Sequence, residues 1–177
     1  MKTQLLEDSF DYVAPEAVEF SAHFYKTLFR HNPELKPLFE ETDAKAQEKK
    51  LVFSLAAIVE NLCNPEVLSP ALKSLGAMHF EVGTLEEHYP LVGQALLESL
   101  ETYLGDRWTA DVAAAWTEAY NEIALVMLEG AKSPEDYLNG ELTFYEWVDL
   151  YGDETPRLKK AIAKLTDYQY RSQKQAS

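Results

Sequence analysis

Through most of this chain, apolar side chains recur at every third or fourth position, and Xaa-Pro pairs interrupt the pattern at short intervals. That combination admits helices and little else. A side chain every 3.6 residues returns to one face of an α-helix, whereas a half-buried strand needs strict alternation. One stripe runs Ala17, Phe20, Phe24, Leu28 and Phe29, with Pro15 near its start and Asn32-Pro33 as its stop. A second runs Gln47, Leu51, Leu55, Ile58 and Leu62 and ends at Cys63-Asn64-Pro65. Ser69-Pro70 predicts the start of a helix that ends at His79, with serine as cap and proline in the first turn. Pro90 opens a stripe of Val92, Leu96, Leu100, Tyr103 and Leu104, with Gly105 as its stop. Thr109 caps a stripe of Val112, Trp116, Ala119, Tyr120, Ile123 and Met127. Two shorter helices are expected around 135–151 and 156–170, divided by "GDETP", with Thr155-Pro156 as a start signal. No alternating pattern long enough for a strand occurs, so the expected class is all-α.

Composition sets the frame for these helices. At 177 residues and 46% hydrophobic content, one domain of ordinary size can bury a real core. A single cysteine, Cys63, excludes an internal disulfide framework and fits a reducing compartment. The opening "MKTQLLEDSF" has no apolar signal core, and no run of apolar residues is long enough to span a bilayer. The expectation is a cytoplasmic protein with no membrane partner. A net charge of −14 argues against nucleic acid as a partner. The charge is uneven: residues 156–177 carry +5, which leaves −19 for residues 1–155. The simplest expectation is a basic tail lying on an acidic body.

Three polar side chains sit on or beside apolar stripes: Gln47 heads one, His79 ends another, and Tyr25 lies beside Phe24 and Leu28. Each has an ordinary structural reading as a core residue with a satisfied hydrogen bond. Four histidines are too few and too scattered for a dedicated zinc site, which takes at least three protein ligands. A haem iron needs only one, because the porphyrin supplies four nitrogens and one imidazole completes the proximal side. Helices with wide apolar faces suit so flat a hydrophobic disc.

Four ordered blocks carry a family resemblance. They are "FYKTLFRHNPELKPLF", "QEKKL" with "LAAIVENL", "HFEVGTLEEHYPLVGQALLESL" and "AWTEAYNEIA". Over residues 1–135 the chain resembles single-domain bacterial haemoglobins and the globin half of flavohaemoglobins. The resemblance implies a globin fold, a three-over-three helical sandwich, over 1–135, with a C-terminal helical extension over 136–177. It implies haem b as cofactor and His79 as the proximal iron ligand. Phe39 would stack on the haem, and Tyr25 and Gln47 would form the distal hydrogen-bonding pair. Leu51 would crowd the ligand, Lys50 would lie near the haem edge within reach of a propionate, and Tyr89 would stand behind the proximal imidazole. Gly83 falls where the family has a glycine in the loop after the ligand.

Two other histidines and the cysteine compete for the iron. His88 follows Glu86-Glu87 and precedes Tyr89-Pro90, off any apolar stripe, which suits a solvated or capping residue. His23 lies two residues before Tyr25 and should point elsewhere, and Cys63 sits at a polar helix end. The chain also departs from the family. The link from Phe39 to Gln47 is shorter than in the bacterial pattern. A carboxylate that strengthens the proximal imidazole would fall near Ala131, where the nearest acids are Glu129 and Glu135.

The distal pair bears on function. Two donors aimed at a partly negative gas each strengthen its binding by about 1–3 kcal/mol. The resemblance therefore implies tight, slowly released O₂, with NO and CO as further ligands. Slow release suits nitric oxide detoxification, with an external reductase supplying electrons, since the residues after 135 are too few for a flavin or NAD domain. The alternative is a haem-based gas or redox sensor that signals through the C-terminal segment. A haem-free globin used for protein interaction is the third reading. Either a monomer or a homodimer is compatible with the sequence.

Overall fold

The structure is a computed structural model, and it describes residues 2–138 and 143–152, with side chains described as far as Val148. Among these residues there are eight α-helices and no strand. They are α1 (Thr3–Val13), α2 (Ala17–His31), α3 (Ala44–Glu60), α4 (Pro65–Glu81), α5 (His88–Leu104), α6 (Ala110–Ala131), α7 (Pro134–Leu138) and α8 (Phe144–Gly152). A 3₁₀ segment, Pro33–Phe39, links α2 to α3. The predicted helix over 156–170, its start at Thr155-Pro156 and the basic tail lie outside the described residues.

Each apolar stripe becomes a buried face. Phe20, Phe24 and Leu28 of α2 meet α5, which turns in Leu96 and Leu100. Val112, Trp116 and Ala119 carry α6 into the same core, and α1, α3 and α4 pack across α2, α5 and α6. The most extensive contact joins α4 to α6. It is close because both helices place glycine at the crossing. A Cβ on Gly76 would stand 1.8 Å from the Met127 carbonyl oxygen, and one on Gly130 would stand 1.9 Å from that of Lys73.

Three local expectations are corrected, the first being that the helix expected around 135–151 is two, α7 ending at Leu138 and α8 starting at Phe144. The helix that ends near His79 starts at Pro65, not at Ser69-Pro70. Asn64-Pro65 already supplies a first-turn proline, and Pro70 is tolerated in the second turn at the loss of one ladder hydrogen bond. The N-terminal residues carry no predicted element, yet they form α1, which buries Leu6, Phe10 and Val13. Trp116 Nε1 donates to Ser9 Oγ at 2.8 Å and ties α1 to α6.

Other termini follow local rules. Thr109 Oγ1 accepts from Val112 N and caps α6. Asp43 Oδ1 accepts from Ala46 N at 2.7 Å and caps α3, which sets the register that puts Gln47 in the first turn. At the end of α4, Thr84 N donates to the His79 carbonyl at 2.9 Å. That return requires a left-handed residue, and Gly83 supplies it at φ +88°.

Candidate functional site

A largely apolar cavity opens between α2, α3, α4, α5 and α6. The space between its walls, open mouth included, is about 1230 Å³. Tyr25 of α2 and Phe39 of the 3₁₀ segment contribute to the wall, with Gln47 and Leu51 from α3, His79 from α4 and Tyr89 from α5. Six of the seven residues singled out in the sequence thus share one cavity. The seventh, Lys50, is exposed, and its Nζ stands 5.1 Å from the ring centroid of Tyr145 in α8.

His79 owes its state to its own helix. Its Nδ1 lies 2.8 Å from the Leu75 carbonyl oxygen. A carbonyl only accepts, so Nδ1 carries the proton and Nε2 keeps its lone pair. Burial pushes the imidazole below the ordinary histidine range, against the opposing pull of the Leu75 hydrogen bond, and favours the neutral form. His88 also borders the cavity but has the reverse tautomer: its Nδ1 accepts from Leu85 N at 3.1 Å, so a neutral His88 carries its proton on Nε2. His23 is turned away, with Nδ1 3.2 Å from Ser99 Oγ and its ring edge-on to Tyr103. Cys63 is exposed.

Tyr25 is held in an aromatic cluster, 4.9 Å from Phe24 and 5.7 Å from Phe39 between ring centroids. Burial pushes its phenol well above the ordinary tyrosine range, against the opposing pull of the Gln47 side chain, so it keeps its proton. Separately, the hydroxyl donates to the Gln47 backbone carbonyl oxygen at 3.5 Å, a long and weak bond. Tyr89 is buried, its phenol is pushed up to about 12 by burial, and its hydroxyl has no hydrogen-bond partner among the described residues. Tyr120, from α6, donates to the Tyr89 backbone carbonyl. The acceptor behind His79 is the Leu75 carbonyl rather than a carboxylate, and Glu129 is paired with Lys73 Nζ at 3.0 Å.

The sequence reading missed several members of the wall, the hydroxyl-bearing Ser54 and Tyr145 among them. Ser54 lies one turn beyond Lys50 on α3. Tyr145 falls one position off the stripe of Phe144, Trp147 and Val148, all three of which are buried. No local signal marks either. Among the described residues, no group of three or more His, Cys, Asp or Glu could hold a metal ion by itself. No helix among them is long and apolar enough to cross a membrane. The site can enclose a flat apolar ligand, offer it one imidazole lone pair, and present hydroxyl and amide donors.

A family model described as Globin matches residues 22–127. The chain is 35% identical over 133 residues to the flavohemoprotein of Rhizobium meliloti, which covers 72% of this chain and 33% of the relative. It is 37% identical over 109 residues to the flavohemoprotein of Vibrio cholerae, covering 60% of this chain and 28% of the relative. The chain thus spans a third or less of the length of these relatives. Among solved structures, the bacterial globin of Campylobacter jejuni superposes with a TM-score of 0.67 at 27% identity, covering 76% of this chain and 96% of that one. The engineered carbene transferase RmaNOD of Rhodothermus marinus superposes with a TM-score of 0.66 at 31% identity, covering 73% and 91%. The matched segment takes in α3, α4 and α5 whole and all but the ends of α2 and α6, the helices that enclose the cavity, and the chain belongs to the globin family.

Proposed function

We propose that this chain is a haem-binding globin that takes up O₂ and other diatomic gases, with His79 as the proximal ligand. One observation carries the reading: the hydrogen bond to Leu75 leaves His79 with a free Nε2 lone pair on the wall of an apolar cavity that Tyr25 and Gln47 also line. The residues present fit such a cofactor. The wall is mostly apolar, Phe39 offers a ring for stacking, and Tyr89 holds a buried hydroxyl without a partner among the described residues. Haem b, if bound, would be held by His79 and stacked on by Phe39, and its iron would supply the reversible binding of a diatomic gas.

The other roles fall to the chain itself. The Leu75 carbonyl orients His79 and fixes its tautomer. Tyr25 and Gln47 donate hydrogen bonds to a ligand that carries partial negative charge, and Leu51 limits its size. Lys50 is assigned to a carboxylate at the cofactor's edge. Tight, slowly released O₂ suits conversion of nitric oxide and O₂ to nitrate, with one electron from a reductase. The flavohemoprotein relatives and the name of RmaNOD support that direction. A second reading, a gas sensor, is favoured by a single feature: α8 contributes Tyr145 to the cavity wall, so a ligand there has a mechanical link to the C-terminal segment.

Absorption spectra of the purified protein test the proposal. The ferric and ferrous-CO forms should show an intense haem band. His79→Ala should lose that band or hold haem loosely, with recovery on adding imidazole, whereas His88→Ala should keep it. The opposite pattern would transfer the ligand role to His88, and a protein that takes up no haem would end the proposal.

A further inference from the structure

Tyr145 lies beyond residue 127, where the family match ends, yet it stands in the wall of the cavity. Its position is set from three sides. The backbone N–H of Phe144 donates to Ser74 Oγ of α4 at 3.2 Å, and the Phe144 ring is fully buried. The Lys50 ammonium of α3 stands 5.1 Å from the Tyr145 ring centroid. Ser54, one turn further along α3, lines the same wall and opposes at the phenol the upward push of burial. Helix α8 therefore bridges α3 and α4, the helices that carry Gln47 and His79. Phe144, Trp147 and Val148 serve the core, whereas Tyr145 is half-buried and lines the cavity. With the Lys50 ammonium over it and Phe144 anchored beside it, what Tyr145 presents to the cavity is the bulk of its ring.

We propose that Tyr145 is a side wall of the ligand-binding space, a ring that a small ligand must pass or displace to leave between α3 and α4. It sets exchange rates by bulk and is indifferent to ligand polarity, unlike Tyr25. The inference rests on the reading of this cavity as a haem pocket, but it can be checked without haem.

The experiment has two arms, applied to the full chain and to Tyr145→Ala, Tyr145→Phe and Lys50→Ala. In the haem-loaded protein, O₂ and CO dissociation are followed by ligand replacement. In the haem-free protein, entry of the apolar dye 8-anilinonaphthalene-1-sulfonate is followed by stopped-flow fluorescence. Tyr145→Ala should speed escape of both gases alike, by about threefold or more, and should speed dye entry. Tyr145→Phe, which removes only the hydroxyl, and Lys50→Ala, which frees the ring, should give smaller rises in the same direction. They decide the question if the alanine variant does not fold. Rates that stay at the parent values in every variant overturn the proposal. A rise for O₂ without one for CO also overturns it, because Tyr145 would then be a donor. A parent chain that takes up no haem defeats the reading under Proposed function, and the dye arm still decides the wall.

Discussion

The two histidines that border the cavity differ by one proton position. His79 gives its Nδ1 proton to a carbonyl one turn back in its own helix, whereas His88 uses Nδ1 as an acceptor for a loop N–H. Only the first arrangement leaves a lone pair on Nε2 in the neutral ring. Tyr25 is a matching case among donors. Its hydroxyl is spent on a carbonyl 3.5 Å away, so turning it toward a better acceptor gives up little. Tyr25→Phe should raise the O₂ dissociation rate by about tenfold or more, since a hydrogen bond to a partly charged acceptor is worth about 1–3 kcal/mol. CO, which carries little charge, should leave at nearly the parent rate. Stopped-flow ligand replacement checks both, and equal changes for the two gases would mean that the phenol acts by packing.

At the scale of single elements, α8 is the informative one. Its start is a reciprocal cap: Thr143 N and Oγ1 both donate to Glu146 Oε2, at 2.8 and 2.7 Å, and Glu146 N donates to Thr143 Oγ1. The pattern Thr143-Phe144-Tyr145-Glu146 is legible in the sequence as a helix start, but the prediction ran one helix through it from about 135. Thr143→Ala should destabilise the docking of α8 by about 1 kcal/mol, read as faster amide exchange over 144–148. The cap is also pH-sensitive. The backbone hydrogen bond from Thr143, then that from its hydroxyl, hold the Glu146 carboxyl below its ordinary value of 4.5. The native state therefore holds fewer protons than the unfolded one in that range. The contribution is complete above pH 4.5 and is lost as pH falls through the lowered value. Amide exchange over α8 should accelerate below pH 4.5, and Glu146→Gln should flatten the dependence.

At the scale of the whole molecule, the division into a globin part over 1–135 and an extension over 136–177 is a proposal with a direct test. Phe144, Trp147 and Val148 are buried against the body. A chain ending at residue 135 forfeits three such side chains, each worth about 1.5–3 kcal/mol when buried, before the entropy of ordering α8 is set against them. It should keep its haem spectrum but melt lower by about 5 °C or more in a thermal scan. An unchanged melting temperature would make the α8 contact incidental and favour a signalling arm.

The sequence by itself determined the central helices α2 to α6 apart from the start of α4, because a 3.6-residue period is a local property that any stretch of about 15 residues displays. It also marked Tyr25, Gln47 and His79 as polar groups on or beside apolar faces. Those faces had to meet a neighbour, and the structure brings all three to one cavity. What the sequence could not carry is the identity of that neighbour. Ser74 and Phe144 lie 70 positions apart, yet their contact seats α8 across the cleft. Tyr145 joins the cavity only because that seat exists. The ammonium of Lys50 lies over Tyr145 for the same reason. The tautomers of His79 and His88 were equally out of reach, since each depends on which backbone group the fold brings within hydrogen-bond distance of Nδ1. Periodicity tells which face of a helix is buried. Only tertiary packing decides what that face touches, and the chemistry of this site lies in those contacts.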